Sequence, residues 1–158
     1  MLRALQTPKR GIGGSAILEF DSYCDSVVDR VRQDSDAVVP TPFDILLSLS
    51  GDTDGLVPAD VDPSEHLSTR PRKLLTQFSE QMRSIINIAK EETLERVLSA
   101  IIDDLEIVPH LDKISKSKVE FQERMANVEE LRQASRRYDG PCLIVPNTTL
   151  YGVTSNAC

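Results

Sequence analysis

PRKLLTQFSEQMRSIINIAKEETLERVLSAIIDDL, residues 71–105, decides the fold. Leu74, Leu75, Phe78, Met82, Ile85, Ile86 and Ile88 recur three and four residues apart. After a polar break, Leu94, Val97, Leu98, Ile101, Ile102 and Leu105 do the same. That spacing lays an apolar stripe along a 3.6-residue helix, so two amphipathic helices are predicted, over about 71–90 and 94–105. Glu91 and Glu92 suit the positive N-terminal end of the second.

Working outward, the same period continues on both sides. Upstream, Ala16, Ile17, Phe20, Cys24, Val27, Val28 and Val31 predict a helix over about 15–33. Thr41-Pro42-Phe43-Asp44 starts a short helix to about residue 50, with a Thr cap, Pro at the first helical position and an acid three residues after the cap. Downstream, a brief segment near 109–114 leads to a helix over 118–138. There Phe121, Met125, Val128, Leu131 and Ala134 line one face, and Gly140 is the expected stop. The fold class is therefore all-α, with one helical subdomain over residues 1–140. Beyond it, Cys142, Leu143, Ile144 and Val145 open a tail, residues 141–158, that reads as a strand or as a frayed end.

Charge divides the chain unevenly. Residues 1–33 hold five Lys/Arg against four Asp/Glu, residues 34–66 hold none against eight, and residues 67–158 hold thirteen against thirteen, giving the net −7. The middle segment also collects Pro40, Pro42, Pro58, Pro63, Gly51 and Gly55, so it reads as a long acidic insertion. Its 51–66 part is expected to stay unpacked and partly disordered. The overall sign then says little about partners. With 158 residues, 40% hydrophobic, 4% aromatic and no Trp, one moderate core of Leu, Ile and Val is possible. No run is apolar enough to span a bilayer or to serve as a secretory leader, so no membrane partner is expected and an intracellular protein is. Cys24, Cys142 and Cys158 are odd in number and far apart, which predicts free thiols. Asn147-Thr148-Thr149 has a glycosylation pattern that such a protein would not use.

The distinctive chemistry is Pro8-Lys9-Arg10-Gly11-Ile12-Gly13-Gly14, directly before a helix. Glycines allow a tight turn and close backbone approach, free N–H groups at a helix start attract anions, and Lys9 and Arg10 add charge. Ile12 can plug the turn into the core, as in helix-hairpin-helix elements that grip a DNA phosphate without reading bases. The plainer alternative is that Gly-Ile-Gly merely begins a helix beside solvated cations. A third pattern, Gly11-x-Gly13-x-x-Ala16, fits a dinucleotide fingerprint formally but follows no buried strand.

Two separated segments carry a resemblance: Leu5-Gln6-Thr7-Pro8-Lys9-Arg10-Gly11-Ile12-Gly13, and Arg124-Met125-Ala126-Asn127-Val128-Glu129-Glu130-Leu131. Both resemble elements of the 2B subdomain of UvrD/PcrA-type superfamily 1 ATP-dependent DNA helicases, in the same order. The resemblance implies that Lys9, Arg10, Gly11, Ile12 and Gly13 contact duplex DNA, weakly and without sequence specificity. It gives Asn127, Glu129, Glu130 and Leu131 a structural role on the way back to the motor core. Ala126 stands where the family usually has an acid, and the acidic insertion lengthens the middle.

The resemblance also implies ATP, magnesium and further motor domains in the parent protein, a 3′–5′ helicase of DNA repair and recombination. None of these cofactors is expected in this chain. No G-x-x-x-x-G-K-[ST] phosphate loop occurs, so a partial, inactive chain is expected, with no catalytic and no metal-binding residues. His66 and His110 lack nucleophilic partners, and the neighbouring pairs Asp103/Asp104 and Glu91/Glu92 point different ways on a helix. Arg132, Arg136 and Arg137 suit the negative end of the last helix and can also reach phosphate. The alternative function is a noncatalytic module that engages a protein regulator through its acidic loop and helix faces. The family works on chromosomal DNA, so the expected compartment is the nucleus in a eukaryote and the cytoplasm in a bacterium.

Overall fold

The computed structural model describes residues 5–34, 36–51 and 55–138. Seven helices follow in order among these: α1 (Gly14–Val31), α2 (Pro42–Ser48), α3 (Pro63–His66), α4 (Thr69–Glu91), α5 (Leu94–Asp104), α6 (Ile107–Ile114) and α7 (Lys118–Ser135). No strand joins them among the described residues, so the all-α expectation holds. Gly140 and the 142–145 run lie outside the described residues.

Capping chemistry sets most of the helix starts. At α2, the Asp44 backbone N–H donates to Thr41 Oγ1 at 3.3 Å and the Thr41 N–H donates to Asp44 Oδ2 at 2.8 Å, a reciprocal box behind Pro42. Asp62 caps α3 by accepting from the Ser64 N–H at 2.8 Å. Thr93 and Ser117 accept from the N–H groups of Arg96 and Glu120 at the starts of α5 and α7. Each such cap is worth about 1 kcal/mol.

Two apolar clusters lie along α4. The larger gathers Phe20, Tyr23 and Val27 of α1, Ile45 and Leu46 of α2, and Leu75 and Phe78 from the first half of α4, with Leu5, Ile12 and Leu67 closing it. Its side chains reach complete burial at Phe20, Leu5, Ile45, Leu46, Leu75 and Val27, each contributing about 1.5–3 kcal/mol of transfer free energy. The smaller holds Ile85 and Ala89 from the second half of α4 with Val97 and Ala100 of α5. Met82 and Leu105 pack against both. Helix α6 buries no residue, and α7 buries only Ser135.

Polar groups tie the elements together. Arg83 donates to the Leu47 carbonyl from Nε (3.1 Å) and Nη2 (2.9 Å) and from Nε to Ser50 Oγ at 3.1 Å, satisfying the end of α2. Buried Ser79 shares a 2.5 Å hydrogen bond with Ser50. Glu19 of α1 accepts from the Ser68 N–H and hydroxyl at 2.7 and 2.8 Å, holding the start of α4.

Two expectations need correction. Residues 55–66 are not an unpacked excursion: Val57 and Val61 pack on the main cluster, α3 forms among them, and Asp60 pairs with Arg30 at 2.6 Å; residues 52–54 lie outside the described residues. Few apolar residues suffice because they fall where an existing core receives them. Leu131 does not line the packed face of α7; it is 54% exposed. Arg132 takes the inward direction instead, its Nη2 donating to Ser99 Oγ at 3.3 Å. The brief 109–114 segment belongs to α6, which begins at Ile107 with Glu106 at the N-cap position in the left-handed region (φ 52°) and without a side-chain cap.

Candidate nucleic-acid interface

The turn before α1 is built by three residues with separate tasks. Gly11 has φ +78°, a conformation that L side chains rarely adopt, so glycine is required there. Ile12, 5% exposed, drives the turn into the main cluster. Gly13 is the N-cap of α1, in extended conformation and without a side-chain hydrogen bond. The first bond of the helix runs from the Ile17 N–H to the Gly13 carbonyl at 3.2 Å, which leaves the preceding N–H groups without intrahelical acceptors.

Gly13, Gly14 and Ser15 are exposed, and a Cβ added at Gly13 or Gly14 would meet nothing within 4 Å. Among the described residues no neighbour requires glycine at these two positions.

The two adjacent cations diverge. Lys9 is exposed. Arg10 is half-buried: Nη1 donates to the Pro8 carbonyl at 3.1 Å, Nη2 to the Leu105 carbonyl at 3.5 Å, and its guanidinium lies 4.9 Å from the centre of the Phe78 ring. Burial lowers its pKa, opposed by the nearby Glu106 carboxylate, and the group stays charged. Arg10 thus pins the turn to α4 and to the α5–α6 junction. A hollow of about 170 Å³ beside it is lined by Lys9 and Arg10 but also by Asp104 and Glu106, so that side of the turn is electrostatically mixed.

Cations that the sequence reading passed over stand on α4. Leu74 lies 3.6 Å from where a Gly11 Cβ would be. Arg70 precedes Leu74 by one helical turn, Lys73 adjoins it, and both are exposed. The first turn of α4 carries no acid, although the dipole there favours anionic side chains. That misplacement of positive charge was readable from the sequence once the helix start at Thr69 was known.

The other candidates have structural places. Arg136 pairs with Glu95 at 2.7 Å, which raises its pKa, and with Arg132 it fastens α7 to α5. The His66 ring lies 5.9 Å from that of Tyr23. Cys24 is buried, and desolvation pushes its thiol up to about 12, where it is not nucleophilic. Asn127, Glu129 and Glu130 are exposed on α7. Among the described residues no three His, Cys, Asp or Glu side chains are grouped to hold a metal, and no helix is long and apolar enough to cross a membrane. No protein family, no curated protein and no solved structure matches the chain.

Proposed function

We propose that this chain is the duplex-contacting helical subdomain of a UvrD/PcrA-type DNA helicase, in which the 11–13 turn meets the phosphate backbone. The observation that carries the reading is the pair Gly13–Gly14: exposed, uncapped, with open space ahead, at a helix start held rigid from behind by Ile12 and Arg10. Backbone N–H groups fixed in this way bind anions without further side chains. Lys9, Arg70 and Lys73 supply the surrounding positive charge, and Arg10 acts by holding the turn. Hydrolysis of ATP, with its magnesium, belongs to the parent family's motor domains.

One turn and a few cations grip a duplex weakly, with a dissociation constant on the order of 10⁻⁴ M at physiological salt. Fluorescence anisotropy with a labelled duplex at low salt tests the reading. Lys9→Ala is expected to lower affinity several-fold, to flatten the log–log salt slope by about one, and to leave thermal unfolding unchanged. Arg10→Ala is expected to lower both affinity and melting temperature. A Lys9→Ala/Arg10→Ala double variant that binds duplex as tightly as the parent chain overturns the assignment.

A further inference from the structure

Exposed apolar side chains are not scattered evenly over the described surface. Of the seven large hydrophobics left exposed, four fall in two short strips. One strip follows α1, with Val38 (60% exposed) and Val39 (46%) beside exposed Asp34 and Asp36. The other is the elbow between α6 and α7, with Ile114 (44%) and Val119 (64%) among exposed Lys113, Lys116 and Lys118. No ion pair among the described residues engages either set of charges. The strips match in kind, two aliphatic side chains each, and are opposite in sign.

Within one chain the strips do not cover each other, since both stay exposed. They belong to different halves of the bundle: the acidic strip continues from α1 in the larger cluster, and the basic elbow joins two helices that bury no apolar residue. Lysines alone would fit any polyanion, but two exposed aliphatic residues between them gain nothing from a sugar-phosphate backbone. They gain from an apolar partner bordered by acids, and this chain carries one.

We propose that a second copy of this chain is that partner, the 113–119 elbow of one copy seating on Val38 and Val39 of the next. The contact is small, hence weak and transient. It is also salt-sensitive, because attraction between solvent-exposed charges weakens as salt rises. Opposite charges mainly set its register and rate of encounter, while the aliphatic pairs exclude water. The inference is independent of the duplex contact, which uses the opposite end of α1.

Sedimentation velocity over a hundredfold range of protein concentration tests it, with two neutralised variants: Lys113→Gln/Lys116→Gln/Lys118→Gln and Asp34→Asn/Asp36→Asn. The unaltered chain is expected to self-associate at low salt and to dissociate at high salt. Each variant alone is expected to associate at least tenfold more weakly, with unchanged thermal unfolding. An equimolar mixture retains one intact pair of strips and is expected to form one-to-one complexes. A monomeric chain at every concentration and salt overturns the proposal, as does association that either variant leaves undiminished or a mixture that behaves as its separate components. Failure here leaves the anisotropy result untouched, because the two experiments alter disjoint residues.

Discussion

The two halves of this bundle are built from similar helices yet packed very differently. In the first, α1, α2 and the beginning of α4 send Phe20, Tyr23, Ile45, Leu46 and Leu75 to at most 1% exposure. In the second, Ile85, Ala89, Val97 and Ala100 form the buried cluster, with Ile102 buried beside it, and α6 and α7 rest on half-buried side chains. Helix α6 is as amphipathic as α4 and α5 yet buries no residue, so periodicity alone does not separate a core from a loosely covered face, while α7 is barely amphipathic at all. What differs is convergence: three elements and a plugged turn surround the first cluster, whereas α7 is held to α5 largely by Arg132 and Arg136 through Ser99 and Glu95. Regions with few buried apolar contacts open most easily.

The largest expected effect separates the halves directly. Phe20→Ala is expected to cost about 3–5 kcal/mol, as truncation of a fully buried aromatic residue does. Phe121→Ala, on the half-exposed side of α7, is expected to cost roughly a third of that. Denaturant unfolding of both variants gives the two values, and equal costs would break the contrast.

A smaller effect is expected at the junction. Thr93 caps α5, and Thr93→Ala is expected to cost about 1 kcal/mol. Amide hydrogen exchange should then speed up in α5–α7 and remain slow in α1, if the halves open separately. Uniform acceleration across the chain would mean a single cooperative unit.

The smallest effect is acidic fraying of α7. Glu120 accepts from Arg124 Nη2 and from the Lys116 N–H, both at 2.8 Å, and this holds its carboxyl below the ordinary glutamate range. A lowered folded-state pKa contributes stability above the unfolded value and loses it as pH falls through the folded one. Exchange in the first turns of α7 is therefore expected to accelerate on acidification before that of α1, and Glu120→Gln should remove the pH dependence.

Much of this organisation was legible in the residues. The stripe over Leu74, Leu75, Phe78, Met82 and Ile85 placed α4 within a residue or two of its observed ends, and Thr41-Pro42-Phe43-Asp44 located α2 through its capping chemistry. Ile12 was recognised as a plug and is one. What escaped depended on neighbours distant in sequence. The inward turn of Arg10 needs Phe78 and the Leu105 carbonyl, and Leu131 stays exposed while its neighbour Arg132 reaches Ser99. The 51–66 segment has too few apolar residues to form a core of its own, and Val57 and Val61 pack because the surface that receives them is made by other elements. At the candidate interface, the divergence of Lys9 and Arg10 could not be read from two adjacent cations.

The most direct test of the account is duplex affinity of a Gly13→Ala/Gly14→Ala variant, measured beside its melting temperature. Neither new methyl group meets a described atom of the chain within 4 Å; alanine at Gly14, inside α1, favours the helix by up to about 1 kcal/mol, whereas at Gly13, the N-cap, it is a poorer cap than glycine by a comparable amount. The two effects offset, so the account predicts a melting temperature that changes little, together with an affinity for duplex DNA reduced about tenfold as the two methyl groups keep phosphate from the amides. Unchanged affinity in the folded variant would contradict it.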